Sequence, residues 1–221
     1  MLVLALDTAT PASTAALVEV TADGLRGIAE RRTVDPRAHG EKLAPEIAAT
    51  LAESGVRPGD LAAIVAGIGP GPFTGLRVGL ATAVSMGQAL DIPTYGVCSL
   101  DALGRAAGPG RVLVATDARR REVYYATYMD GVRVTDPDVA RPADVASTVE
   151  KPERVVGEGG LKYGDVFGVP VEEHLLYPPG AALVALAAER IRAAAPSEPL
   201  TPLYLRRPDA AEPTGRKSVL T

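Results

Sequence analysis

Asp7 closes a short apolar run, Val3 to Leu6, and is followed by Thr8, Ala9 and Thr10. A carboxylate at such a strand end either orients a metal-bound water beside a phosphate or fixes an Asx turn. A second apolar run, Leu61 to Gly67, leads into Gly69-Pro70-Gly71-Pro72 ahead of a helical pattern from about Phe73 to Leu90. Gly69 and Gly71 let the backbone approach another group closely, and the helix N-terminus behind them offers unpaired N–H groups to an anion. The same loop would equally serve only to turn a strand into a helix. A third segment, Asp117-Ala118-Arg119-Arg120-Arg121, follows the run Val112 to Ala115 and puts Asp117 in the slot that Asp7 holds earlier. Dinucleotide-binding and P-loop spacings both fail: Pro72 stands where the third glycine counted from Gly67 and Gly69 would fall, and no Gly-Lys-Ser/Thr occurs.

Metal chemistry has few ligands to draw on. His39, His174 and Cys98 are far apart and have none of the spacings of a zinc site, so no metal is expected. His39 opens an amphipathic helix without a recognisable triad around it, and a hydrogen bond at the helix start is its expected role. Arg119, Arg120 and Arg121 beside Tyr124, Tyr125 and Tyr128 suggest a basic, aromatic patch for RNA, but the alternation of a half-exposed strand explains the tyrosines more simply.

The elements that position these residues follow from pattern. Val3 to Leu6, Ser13 to Val20 and Leu25 to Val34 read as strands, with a hairpin turn at Asp23-Gly24. Leu43, Ile47 and Leu51 recur at four-residue steps in a helix from His39 to Ser54, which Pro45 either kinks or starts. In the helix after the glycine loop, Gly75, Gly79, Ala83 and Gly87 form a strip of small residues with Leu76, Leu80 and Val84 beside it. Glycine costs about 1 kcal/mol against alanine inside a helix, so the strip points to a packing requirement, either internal or against another molecule. Ile92 to Val97 reads as a strand and Leu100 to Ala106 as a helix, and Gly108-Pro109-Gly110 breaks the chain before a second copy of the opening grammar. That copy runs Val112 to Ala115, then Glu122 to Tyr128, with a turn at Asp130-Gly131, which suggests an internal duplication. Pro142 to Val149 and Ala181 to Ala195 read as helices, Arg154 to Val156 as a strand, and Glu198 to Thr221 as a proline-spaced tail, partly extended or disordered, with Arg216 and Lys217 near its end.

Composition bounds the function. With 221 residues and 47% hydrophobic content, the chain can build one large domain or two of about 100 residues each. The net charge of −4 gives no global attraction to a phosphate backbone, so gripping RNA directly would require a local basic patch. The single cysteine fits a reducing compartment. Asp7 interrupts the N-terminal run too early for a signal-peptide core, and no apolar run approaches the roughly 18 residues of a membrane span, so a cytoplasmic protein is expected.

Five segments carry a family resemblance: Leu4-Ala5-Leu6-Asp7-Thr8-Ala9-Thr10, His39-Gly40-Glu41-Lys42-Leu43, Gly69-Pro70-Gly71-Pro72-Phe73-Thr74-Gly75-Leu76-Arg77, Asp117-Ala118-Arg119 with Glu122-Val123-Tyr124, and Pro202-Leu203-Tyr204-Leu205-Arg206. In order and spacing they resemble the motifs of the TsaB (YeaZ) family over nearly the whole chain. The resemblance implies an α/β fold of two actin-like, ribonuclease H-like lobes, each a mixed sheet flanked by helices. Residues 1–108 would form an N-terminal lobe carrying the partner-binding helices, 109–200 a C-terminal lobe and 201–221 an extended tail.

The family implies a non-catalytic, dimerising subunit of the machinery that makes threonylcarbamoyladenosine at position 37 of tRNA. It would pair with the transferase TsaD, or with itself, support recruitment of the ATPase TsaE, and meet tRNA only through the complex. The implied interface is His39, Leu43, Ile47, Leu51, Phe73, Leu76, Arg77, Gly79, Leu80 and Ala83. No cofactor is required by the chain itself; ATP or ADP would sit at the interface with TsaD, touching Asp7, Thr8, Gly69 and Gly71. Three departures bear on chemistry. Pro72 replaces the serine usual in the family and removes a hydroxyl and a donor, although proline suits a first helical position. Arg119 to Arg121 stand where nucleotide-hydrolysing relatives have glycines. Ser99-Leu100-Asp101-Ala102-Leu103 occupies the stretch where TsaD carries its His-Met-Glu-Gly-His metal motif. The alternative readings are an independent enzyme of this fold, either a small-molecule kinase or a metallo-glycopeptidase, and an RNA-binding module whose isolated chain would bind in a salt-sensitive way.

Overall fold

Two mixed sheets flanked by helices make up the computed structural model, which describes residues 1–206. In the first sheet β1 (Leu2–Asp7) is central, antiparallel to β2 (Ala12–Val20) and parallel to β4 (Leu61–Gly67). With β3 (Leu25–Val34) and β5 (Thr94–Val97) at the edges, the order is β3-β2-β1-β4-β5. The unbroken apolar runs of β1 and β4 reflect burial on both faces. On one face α1 (His39–Glu53) and α2 (Phe73–Leu90) set Leu43, Ile47, Leu51, Leu80 and Ala83 against Leu4, Leu6, Leu17 and Ile64. α1 starts at His39, well before Pro45, which lies exposed inside it.

In the second sheet β6 (Arg111–Asp117) is antiparallel to β7 (Val123–Met129) and parallel to β10 (Arg154–Val156), while β8 (Val132–Arg133) and β9 (Asp138–Ala140) both pair with β7. A leading strand, an antiparallel neighbour and a later parallel neighbour thus recur in both sheets, and Asp7 and Asp117 each end the leading strand. α3 (Ser99–Ala107) joins the two halves, and α4 (Pro142–Thr148), α5 (Glu158–Lys162) and α6 (Gly164–Phe167) belong to the second.

One expected boundary needs correction. Residues 109–200 do not form a lobe by themselves, because α7 (Gly180–Arg192) returns to the first sheet. Its Leu183, Val184, Ala187 and Ile191 cover Val3, Ala5, Val18, Val65 and Tyr95, a face that would otherwise meet water. Beyond α7 the chain crosses between the halves without a regular element. Glu198 N–H donates to Thr94 O at 2.9 Å, Leu203 N–H to Ile68 O at 2.8 Å, and Arg206 Nη1 to Ala118 O at 2.8 Å. Arg216 and Lys217 lie outside the described residues. No helix among the described residues is long and apolar enough to cross a membrane.

Candidate functional site

The turn after β1 is an internal fastening. Asp7 is 1% exposed; its Oδ1 accepts the Ala9 N–H at 2.9 Å and its Oδ2 accepts the Ser99 hydroxyl at 2.5 Å. Ser99 Oγ in turn accepts the Gly69 N–H at 3.3 Å. Burial pushes the Asp7 carboxyl up to about 6, against the lowering effect of these bonds and of the Arg32 charge. The bond to Ala9 is the Asx turn expected of such a strand end, and both carboxylate oxygens are engaged within the chain. Thr8 is committed as well, its Oγ1 donating to Gly75 O at 2.7 Å.

The small-residue strip of α2 is internal. A β-carbon on Gly79 would stand 2.3 Å from Thr8 Oγ1, and one on Gly87 would stand 2.5 Å from Thr94 Cγ2. These glycines bring α2 onto the β1–β2 turn and onto β5. Of the residues expected at a partner face, Leu43, Ile47, Leu51, Leu76, Gly79, Leu80 and Ala83 are buried within the chain's own structure, and His39 is 7% exposed. Only Phe73 and Arg77 of that set are exposed, with the Arg77 guanidinium 4.3 Å from the Phe73 ring centroid. The exposed residues of the helices include Glu41, Lys42, Ala44, Pro45, Ala48, Ala52 and Glu53 on α1, and Arg77, Ala81, Val84, Ser85 and Gln88 on α2. The strongest apolar stripe marks the core of a lobe. The weaker alanine repeat at positions 44, 48 and 52, one residue along, is the signal that would have found the outer side.

Between the halves lies a cavity of about 890 Å³. Thr10 and Pro11 of the β1–β2 turn, Arg37 and His39, and the α2 start from Gly71 to Gly75 wall it on one side; Asp117 to Arg120, Tyr124 and Tyr204 to Arg206 wall it on the other. Of the nucleotide candidates only Gly71 lines this space; Asp7, Thr8 and Gly69 are packed behind it. The α2 N-terminus has no side-chain cap, Arg37 and Arg119 line the cavity, and Asp117, the single carboxylate among its described lining residues, is paired with Lys162, so the wall favours an anion. His39 Nδ1 lies 2.8 Å from Ser13 Oγ on β2, a cross-element bond in place of the helix-start bond expected. Burial lowers the His39 pKa, more than Asp35 raises it, and Arg119 lowers it further. Ser13 is 1% exposed, so its hydroxyl is closed off as a nucleophile.

The second half repeats the turn. Asp117 Oδ1 accepts the Arg119 N–H at 3.3 Å, as Asp7 does for Ala9, while Oδ2 pairs with Lys162 Nζ at 3.0 Å. The Asp117 N–H donates to Glu158 Oε1 at 3.1 Å, a partner that sequence reasoning missed. Burial drives the Glu158 carboxyl up to about 7; its hydrogen bonds pull the other way, and the Asp117 and Asp7 charges push it up further. Arg119, Arg120 and Arg121 fill the turn that glycines would leave open. At the start of α3, Leu100, Ala102 and Leu103 are core residues, and among the described residues no group of three or more His, Cys, Asp or Glu could hold a metal.

Comparison with known proteins gives a consistent picture. A family model described as TsaD, tRNA N6-adenosine threonylcarbamoyltransferase, matches residues 33–166. Protein Rv3421c of Mycobacterium tuberculosis is 49% identical over 208 residues, 94% of this chain and 93% of its own length. The tRNA threonylcarbamoyladenosine biosynthesis protein TsaB of Escherichia coli is 37% identical over 132 residues, 58% of this chain and 55% of its own length. A Mycobacterium leprae relative, ML0378, is likewise spanned over only 56% of its length. A crystal structure from Pseudomonas aeruginosa, described as similar to peptidase YeaZ, superposes with a TM-score of 0.77 at 30% identity, over 93% of this chain and 99% of that one.

Proposed function

Since this chain belongs to the TsaB (YeaZ) family, with the actin-like fold of that family, we propose that it is the partner-binding subunit of a tRNA threonylcarbamoyladenosine-forming complex. It would run no reaction of its own. The partner is a TsaD-type transferase, and a second copy of this chain takes its place when the transferase is absent. The observation that carries this reading is the outward side of α1 and α2. Ala44, Ala48 and Ala52 beside Ala81 and Val84 make a two-helix platform of short side chains, and the residues beneath already complete the core. Short side chains let another helix pair approach closely, and a specific interface needs only about 800 Å² per partner.

The role without catalysis is supported by how the chemical residues are spent. Asp7 is fastened to Ser99 and Ala9, Thr8 to Gly75, and the second turn is filled with arginine. ATP or ADP, in this reading, is held jointly with the transferase: its phosphates meet the uncapped α2 start and Arg37 and Arg119 in the cavity. TsaE joins the assembly, and the substrate tRNA is modified at the transferase.

Reconstitution tests the reading. Transferase, TsaE, the adenylate-forming enzyme, ATP, threonine, bicarbonate and tRNA are combined with and without this chain. The modified nucleoside is expected only when the chain is present. Equal yield in its absence, or modification by this chain alone, would contradict the assignment.

A further inference from the structure

In the second half an open groove of about 620 Å³ runs between the Arg119–Arg121 turn, the start of α4 and the α5–α6 segment, and shares Arg120 with the cavity between the halves. Among the described residues, Arg120, Arg121, Arg141 and Lys162 rim it, Pro142, Ala143, Tyr163 and Val166 floor it, and no carboxylate lines it. In a chain of net charge −4 that is a local inversion of sign. Asp144 and Asp165, the acids nearest along the chain, are not among its walls. Asp117 neutralises Lys162, whereas Arg121 and Arg141 are exposed and make no ion pair among the described residues.

The backbone places the arginines there against its own preference. Arg119, Arg120 and Arg121 all have positive φ, at 60°, 53° and 61°. Three successive L-residues in the left-handed region are costly where glycine or asparagine would be cheap. The turn is held by Ala118 N–H to Glu122 O at 3.0 Å and Glu122 N–H to Arg119 O at 2.9 Å. Tyr124 and Tyr128 are buried, so they are not the aromatic partners of these cations; Tyr163, with Lys162 Nζ 5.3 Å from its ring centroid, is the aromatic residue in the groove.

We propose that this groove binds the phosphodiester backbone of RNA, with Arg121 and Arg141 on phosphates and a base against Tyr163. The inference rests on the reading that the chain works on tRNA, and gives it a direct contact that the overall charge conceals. Guanidiniums fit phosphates in a bidentate way, and an aromatic face receives any base.

The test is fluorescence anisotropy of a labelled RNA stem-loop against the full chain over a salt series. Arg121→Glu with Arg141→Glu is compared with Arg26→Glu and Arg57→Glu, which change the net charge equally at distant, ion-paired surface sites. Circular dichroism checks both folds, and the milder Arg121→Ala with Arg141→Ala replaces the reversal if it misfolds. Expected are salt-sensitive binding by wild type, at least about tenfold weakening by the groove pair, and a slope of log K against log salt that falls by about 1.5. Binding lost equally in both pairs, no binding by wild type, or competition by polyglutamate as strong as by RNA would overturn the proposal; the last result would mark an acidic-peptide site. The reconstituted modification assay run beside it separates the two claims. If wild type supports modification while RNA binding is absent, only the groove assignment falls; if wild type supports none, the functional reading falls.

Discussion

The hydroxyl of Thr8 occupies the space that a side chain at Gly79 would need: a β-carbon there would stand 2.3 Å from Oγ1, which itself is tied to Gly75 O at 2.7 Å. Gly79→Ala is therefore expected to destabilise the protein by about 1–3 kcal/mol, the usual cost of overpacking, and Gly79→Leu is expected not to fold. Thr8→Ala in the same chain should return part of the Gly79→Ala loss, because it removes the clashing oxygen. Urea midpoints over this double-mutant cycle measure the coupling, and additive effects would show that α2 does not rest on the turn.

Asp7 and Glu158 set a pH dependence. Their folded-state pKa values, about 6 and about 7, lie above the ordinary 3.8 and 4.5. The folded state thus holds protons that the unfolded chain has released. The associated stability is fully present below about pH 4 and is lost as pH rises through about 6 for Asp7 and about 7 for Glu158. Asp7→Asn, which keeps an acceptor for the Ala9 N–H, should flatten the lower part of this decline by at least about 1 kcal/mol and leave the upper part to Glu158. Urea unfolding at pH 5, 6, 7 and 8 reads it; a parallel decline in wild type and variant would count against the buried carboxyl.

The crossing segment after α7 is expected to hold the two halves together. Tyr204 stacks on Phe73 with ring centroids 5.2 Å apart, and Arg206 bonds Ala118 O and pairs with Glu122. Arg206→Ala removes both links to the second half. Amide exchange at residues 118–122 should accelerate severalfold, while the β1 and β4 amides stay protected. Unchanged exchange at the turn would mean that the segment only lies along the surface.

Alternation and turn chemistry made the strands legible. β3 begins and ends as its pattern predicts, and both hairpin turns fall on Asp-Gly pairs. The duplication was legible too, since each copy ends its first strand on an aspartate. Partnerships at long range were hidden. Nothing in the apolar sequence of α7 says which sheet it covers, and nothing near Asp7 points to Ser99, ninety-two positions away. Which side of α1 and α2 faces outward was hidden as well, because leucine and isoleucine at helical steps dominate the pattern and belong to the core, while the alanines beside them carry little hydrophobic signal. Of the basic groove only the Arg119–Arg121 run was legible; Arg141, Lys162 and Tyr163 join it only in the fold.

The platform on α1 and α2 is tested most directly by Ala48→Arg with Ala81→Arg, both on the outward side, set against Leu43→Ala in the core. Co-elution with the TsaD-type transferase is measured beside thermal unfolding. The outer pair is expected to keep the wild-type melting temperature within about 2 °C while losing co-elution, and Leu43→Ala is expected to lose about 2–5 kcal/mol of stability. Full co-elution by a folded outer-face variant would contradict the account, because the partner would then be bound elsewhere on the molecule.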